Sequence, residues 1–181
     1  MSTKEFTEIS IMIALTSVFE VIFSSIGITI FPNGGSVSLA LLPLMVITMR
    51  LGFLKGLVAA GIYGIFQFVL PVPVFFLTPV QYLFDYIVPT LAAVLIIAFG
   101  RQKSQVYLGV VVVFAAKYLS HVIAGVVFWG EFAPEGFSAW TWSLYYNATY
   151  AFPSMVLSLI VVSVLLNRYP QLLRFSLSSD R

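Results

Sequence analysis

Four ionisable side chains, Glu20, Asp85, Lys117 and His121, stand inside long apolar runs of the chain. An Asp, Lys or Arg at the centre of a membrane helix costs roughly 2.5–3.5 kcal/mol on insertion scales, so each such group needs a partner or a function. Lys117 and His121 are four residues apart and fall one above the other on one helix face. Gln81 and Asp85 share that spacing, with Tyr82 and Tyr86 beside them. Two readings follow from the spacing alone. In the first, Asp85 and Lys117 form an internal ion pair, with His121 and Asn147 hydrogen-bonded between helices. In the second, the polar groups face a ligand. Tyr118, Trp129, Trp142, Tyr145, Tyr146 and Tyr150 crowd the same region. Flat heterocycles stack on such rings, and a cation gains roughly 0.5–2 kcal/mol over one. The ligand reading therefore points to a small, flat, cationic solute in an aromatic-walled pocket.

The same residues argue against catalysis and cofactors. The chain has no Cys and one His, hence no thiolate chemistry and no zinc motif. No P-loop occurs. Ser120 and His121 are adjacent, so on a helix their side chains point different ways and make no nucleophile–base pair. No metal and no cofactor are expected, and the chain reads as a binding or transport protein.

These groups must be positioned by membrane helices. Of 181 residues 60% are hydrophobic and only 9% charged, against the ~25% usual in soluble domains. Mean hydropathy is +1.03, more apolar surface than a soluble domain of this size can hide. The formal net charge of +2 suggests no nucleic-acid partner. The expectation is an all-α integral membrane protein in the cell (plasma) membrane, a single transmembrane domain over residues 1–181. Apolar runs cover Ile9–Ile30, Val37–Met49, Phe53–Leu70, Leu77–Gly100, Val106–Phe128 and Trp142–Leu166. Five are long enough to span; the second is short and contains Pro43. The first run has no cleavage site after it and reads as a retained helix.

Basic residues orient the six helices. Lys4, Arg50, Lys55, Arg101, Lys103, Arg168, Arg174 and Arg181, eight of the nine, fall on one side if both termini are cytoplasmic. The opposite connections, Gly27–Ser36, Pro71–Phe76 and Trp129–Thr141, carry none, and the last is long and aromatic, either a lid or an interfacial belt. At ~1.5 Å per residue, Asp85, His121 and Asn147 lie ~12, ~10 and ~8 Å from the outer ends of their helices, with Lys117 near ~16 Å. On helix 1, Ser10, Ala14 and Ser17 form a small-residue stripe, which packs within the bundle or docks another membrane protein.

With these residues in view, the sequence resembles the thiamine-specific S component (ThiT family) of energy-coupling factor (ECF) transporters. The stretches that carry the likeness are Pro32-Asn33-Gly34-Gly35-Ser36-Val37-Ser38, Pro79 to Ile87, and Lys117-Tyr118-Leu119-Ser120-His121-Val122-Ile123-Ala124-Gly125. The last continues through Phe128-Trp129-Gly130 to Ser143-Leu144-Tyr145-Tyr146-Asn147. The resemblance implies a six-helix subunit that captures thiamine from outside between the outer parts of helices 4 to 6. It implies as substrate-binding residues Asp85, Tyr86, Lys117, His121, Trp129, Trp142, Tyr146 and Asn147. Asp85 would supply negative charge, His121, Asn147 and Tyr hydroxyls would read the pyrimidine edge, and Trp129 and Trp142 would stack. Trp142 and Pro134 depart from the side chains some relatives carry there. The implied partners are a coupling transmembrane protein and two cytoplasmic ATPases, met through the helix 1 stripe. Rival readings are an S component for another vitamin or a thiamine precursor, and a self-sufficient proton-coupled transporter.

Overall fold

The computed structural model describes residues 1–28, 35–72, 74–76 and 78–169. Thr29 to Gly34 of the first connection, Pro73, Leu77, and Arg174 and Arg181 lie outside the described residues.

Helix α1 (Thr3–Ile26) opens on a reciprocal cap: Ser2 Oγ accepts from Glu5 N–H at 3.3 Å, and Glu5 Oε2 accepts from Ser2 N–H at 3.0 Å. Helix α2 (Leu41–Leu51) and helix α3 (Phe53–Phe66) meet at Gly52, and α3 runs on into a 3-10 turn, Gln67–Val69. Helix α4 covers Pro79–Ile97, helix α5 Lys103–Trp129 and helix α6 Ala139–Arg168. Four of these, α1, α4, α5 and α6, are long and apolar enough to cross a membrane, while α2 and α3 are shorter apolar helices. The sequence gives five runs of spanning length. The third forms the shorter apolar helix Phe53–Val69, its 3-10 turn included.

The surface of the bundle is apolar in stripes. On α3, Leu54, Val58, Ile62 and Ile65 are exposed; on α6, Phe152, Val156, Ile160 and Val164. Spacings of three and four place each set on one outward face, and in water such faces would be aggregation sites. They identify a lipid-facing exterior.

The interior is divided. The half near the basic residues is an apolar core built from α2 with Ile9, Ala59, Ala60, Ile96, Val106, Val110, Val113, Val162 and Leu166. Ion pairs close that end: Arg50 with Glu8 at 3.0 Å and Lys55 with Glu5. The opposite, aromatic end buries polar residues instead, among them Gln81, Ser120, Ser143, Asn147 and Ser154. Buried polar atoms need partners, and their partners outline the site.

The helix 1 stripe divides as well. Ser10 and Ala14 are on the open face of α1, whereas Ser17 is buried beside Thr16, next to the inward line Glu5, Ile9 and Thr16. Of the three stripe residues, Ser10 and Ala14 are thus open to the outside and Ser17 packs within the bundle.

Candidate binding site

Helix α4 is irregular where it carries the acidic residue. It starts as a capped turn, Thr78 Oγ1 accepting from Gln81 N–H at 3.1 Å with Pro79 first in the helix. Leu83–Ile87 is a π-turn, in which Val88 N–H reaches back to Leu83 O. Pro89 supplies the cause. It has no N–H to give to Asp85 O, four residues earlier, or to Phe84 O, five residues earlier. Phe84 O is satisfied instead by Ser120 Oγ of α5, at 2.6 Å, and Tyr86 O by Gln67 Nε2, at 3.4 Å. π-turns of this kind concentrate at functional sites, and this one presents Asp85.

Asp85 meets two partners. Its Oδ2 accepts from Gln81 Nε2 at 3.3 Å, and its Oδ1 lies 3.4 Å from His121 Nδ1. A carboxylate can only accept, so a proton on Nδ1 leaves Nε2 of the neutral ring as an acceptor. Gln81 is fully buried, while Asp85 and His121 keep some exposure. Both keep hydrogen-bonding capacity beyond these contacts.

His121 is held from α6. Its ring meets Tyr150 edge-on at 5.8 Å, and its carbonyl accepts from Asn147 Nδ2 at 3.4 Å. Asn147 also donates to Ser143 O at 2.8 Å, and its Oδ1 accepts from Tyr150 Oη. The helices approach closely because Gly125 has no side chain: a Cβ there would come 2.2 Å from Ser143 Oγ. Ser143 Oγ in turn donates to Val122 O at 2.9 Å, and Tyr118 Oη to Leu144 O at 2.9 Å.

Aromatic rings extend from this polar centre to the end of the bundle. Tyr150, Tyr146 and Trp142 recur every four residues on one face of α6, with ring centroids 6.2 and 5.8 Å apart, and Phe137 meets Trp142 at 5.5 Å. Tyr86 stacks on Tyr82 at 4.8 Å, and its hydroxyl is tied to the backbone N–H and C=O of Phe75. Trp129 ends α5 and leans on Phe132 at 5.7 Å.

The structure therefore brings together Asp85, His121 and Asn147, with Trp142, Tyr146 and Tyr150 beside them. It sets Trp129 against Phe132 at the end of α5. An Asp85–Lys117 ion pair is absent among the described residues. The hydrogen bonds of Asn147 and of the Tyr86 hydroxyl in this structure go to protein partners. Gln81 was legible from its spacing to Asp85. Ser120, Ser143 and Pro89 were not singled out for the site, although a proline twelve residues into an apolar run signals a broken helix. Among the described residues no group of three or more His, Asp and Glu is placed to hold a metal ion. An apolar groove lined by Val37, Phe152, Pro153, Val156, Leu157 and Ile160 lies on the outward face of α6 and offers no polar group to a ligand.

The family described as thiamine transporter protein (Thia_YuaJ) matches residues 6–174. The chain belongs to this family. Thiamine transporter ThiT of Bacillus subtilis is 36% identical over 180 residues, 92% of each chain, and that of Lacticaseibacillus paracasei 35% over 151 residues, 73% of each. A solved structure of ThiT from Listeria monocytogenes has the same fold, with a TM-score of 0.73 at 24% identity, covering 91% of this chain and 97% of that one. Membership of the Thia_YuaJ family and the apolar helices make this a multi-pass protein of the plasma membrane.

Proposed function

We propose that this chain is the thiamine-capturing S component of an ECF-type vitamin uptake transporter, a binding subunit and not an enzyme. The observation that carries the reading is Asp85. It is a carboxylate with spare acceptor capacity, seated among aromatic rings at the end of the bundle away from the basic residues. Thiamine is a flat cation with an amino-bearing pyrimidine. Asp85 offers it charge and an acceptor, His121 Nε2 offers a second acceptor, and Trp142, Tyr146 and Trp129 offer ring faces. Tyr86 and Asn147 hold the walls, and Lys117 stands one turn further in.

The reading includes six spans, α2 and α3 being short ones protected by their neighbours. It places both termini in the cytoplasm, supported by the distribution of Lys and Arg. It includes as partners a coupling transmembrane protein and two ATPases, since the chain has no P-loop.

The test is titration of the purified, detergent-solubilised protein with thiamine, followed by its own tryptophan fluorescence. Trp129, Trp140 and Trp142 all lie at the aromatic end, so a bound aromatic cation is expected to quench them saturably at nanomolar to low-micromolar concentration. A well-folded protein that shows no saturable response would retire thiamine as the ligand. Uptake by this chain alone in proteoliposomes would favour a proton-coupled transporter instead.

A further inference from the structure

Helix α1 packs on α2 and α3, yet it carries a half-buried carboxylate, Glu20, towards the polar half of the bundle. Glu20 lies within electrostatic reach of two groups from other helices, Lys117 of α5 and Tyr63 of α3. Lys117 has three N–H donors and makes no hydrogen bond or ion pair among the described residues. Tyr63 is 1% exposed, and its hydroxyl has no hydrogen-bond partner among them either. An ammonium inside a membrane bundle needs an opposite charge. Asp85 makes no ion pair with Lys117 among the described residues, and Glu20 is the carboxylate within electrostatic reach of it.

Glu20 also reaches the segment that leads into α2. Ser38 Oγ donates to Glu20 Oε2 at 3.5 Å and accepts from Ala40 N–H at 3.0 Å, while Ser38 N–H donates to Ser154 Oγ of α6 at 3.0 Å. Just before it, Gly35 lies against the Tyr150 ring so closely that a Cβ would come 2.6 Å from it. Tyr150 is the ring that meets His121 and whose hydroxyl bonds Asn147. Two lines thus run from Glu20 to the site, one through Lys117, a turn below His121, and one through Ser38 to Tyr150.

We propose that Glu20 is a positioning residue of this binding site: its carboxylate is the counter-charge that orients Lys117, and through Ser38 it anchors the Gly35–Ser38 segment over Tyr150. Glu20 touches no ligand in this arrangement. The proposal rests on the thiamine-binding reading for its effect on affinity, but the pairing with Lys117 is independent of any ligand.

The experiment compares the wild-type chain with Glu20→Gln, Glu20→Asp, Lys117→Met and the Glu20→Gln/Lys117→Met double variant, by thiamine titration and by thermal unfolding in detergent. Glu20→Gln is expected to weaken thiamine binding about tenfold in protein that is still folded, and Glu20→Asp to recover part of the loss. In the Lys117→Met background the same Gln substitution is expected to cost about threefold or less, because groups that act together are not additive. A role confined to holding the fold would lower the unfolding temperature and leave the affinity of the folded fraction unchanged. Wild-type affinity in Glu20→Gln, or an equal loss in both backgrounds, would overturn the proposal. If the wild-type chain binds no thiamine, the function reading fails separately, and the unfolding temperatures decide this proposal. Pairing requires that Lys117→Met restore the stability lost in Glu20→Gln; additive losses would refute it.

Discussion

The Asp85 carboxylate accepts one hydrogen bond from Gln81 and faces His121 Nδ1, so two or so of its roughly four acceptor sites stay open to a ligand. Its negative charge is the part no neutral side chain reproduces. Asp85→Asn keeps the size of the side chain and, with its amide oxygen turned to Gln81, one hydrogen bond. Its unfolding temperature is therefore expected to stay near that of the wild type while thiamine affinity drops about tenfold or more, roughly 1.4 kcal/mol. A ligand held by ring stacking alone would bind Asp85→Asn as tightly as the wild type, and titration of the two proteins separates the cases. Much of this scale was readable in the sequence. Counting turns put Asp85, His121 and Asn147 at one level, and the structure joins them. Which carboxylate serves Lys117, Asp85 or Glu20, was not readable, because spacing along one helix does not say which carboxylate on another helix faces it. The structure has no Asp85–Lys117 ion pair among the described residues and holds Glu20 within electrostatic reach of Lys117.

At the scale of elements, the fourth apolar run hides a change of helix type. Apolar periodicity cannot reveal it, since an all-round apolar run gives no phase to lose. Hydrogen-bond supply does: Pro89 lacks the N–H that Phe84 O would accept in the π pattern, and Ser120 Oγ of α5 donates to Phe84 O in its place. The turn therefore sets both the direction of Asp85 and the contact between α4 and α5. Pro89→Ala returns the missing N–H to Asp85 O and lets the turn relax towards α-helix. The expected outcome is undiminished helicity by circular dichroism with thiamine affinity reduced about fivefold, the carboxylate having rotated away from His121. Affinity equal to the wild type would mean that the π-turn is a packing feature with no part in binding. Helices α2 and α3 teach the complementary lesson. Their shortness was partly visible in the second run, but α3 ends in a 3-10 turn whose Gln67 donates across to Tyr86 O, a contact that no local pattern contains.

Taken whole, the molecule has an apolar exterior, a dry core near its basic end and a polar, aromatic-walled centre near the other. This division suits a subunit that captures a solute at one end and is driven by others. Helix α1 is the element best placed to meet them. It packs on α2 and α3 and leaves Phe6, Ser10, Ile11, Ala14 and Val18 open. Small side chains at Ser10 and Ala14, four apart, let a partner helix come close, whereas lipid would not require them to be small. Replacing Ala14 by Trp fills that approach without touching the site, which α4, α5 and α6 build. The variant is expected to bind thiamine within about twofold of the wild type. In membrane vesicles that also hold the coupling protein and its ATPases, ATP-driven thiamine uptake by the same variant is expected to fall to background. Uptake at the wild-type rate would assign the open face of α1 to lipid alone and move the search for the docking surface to the exposed stripes of α3 and α6.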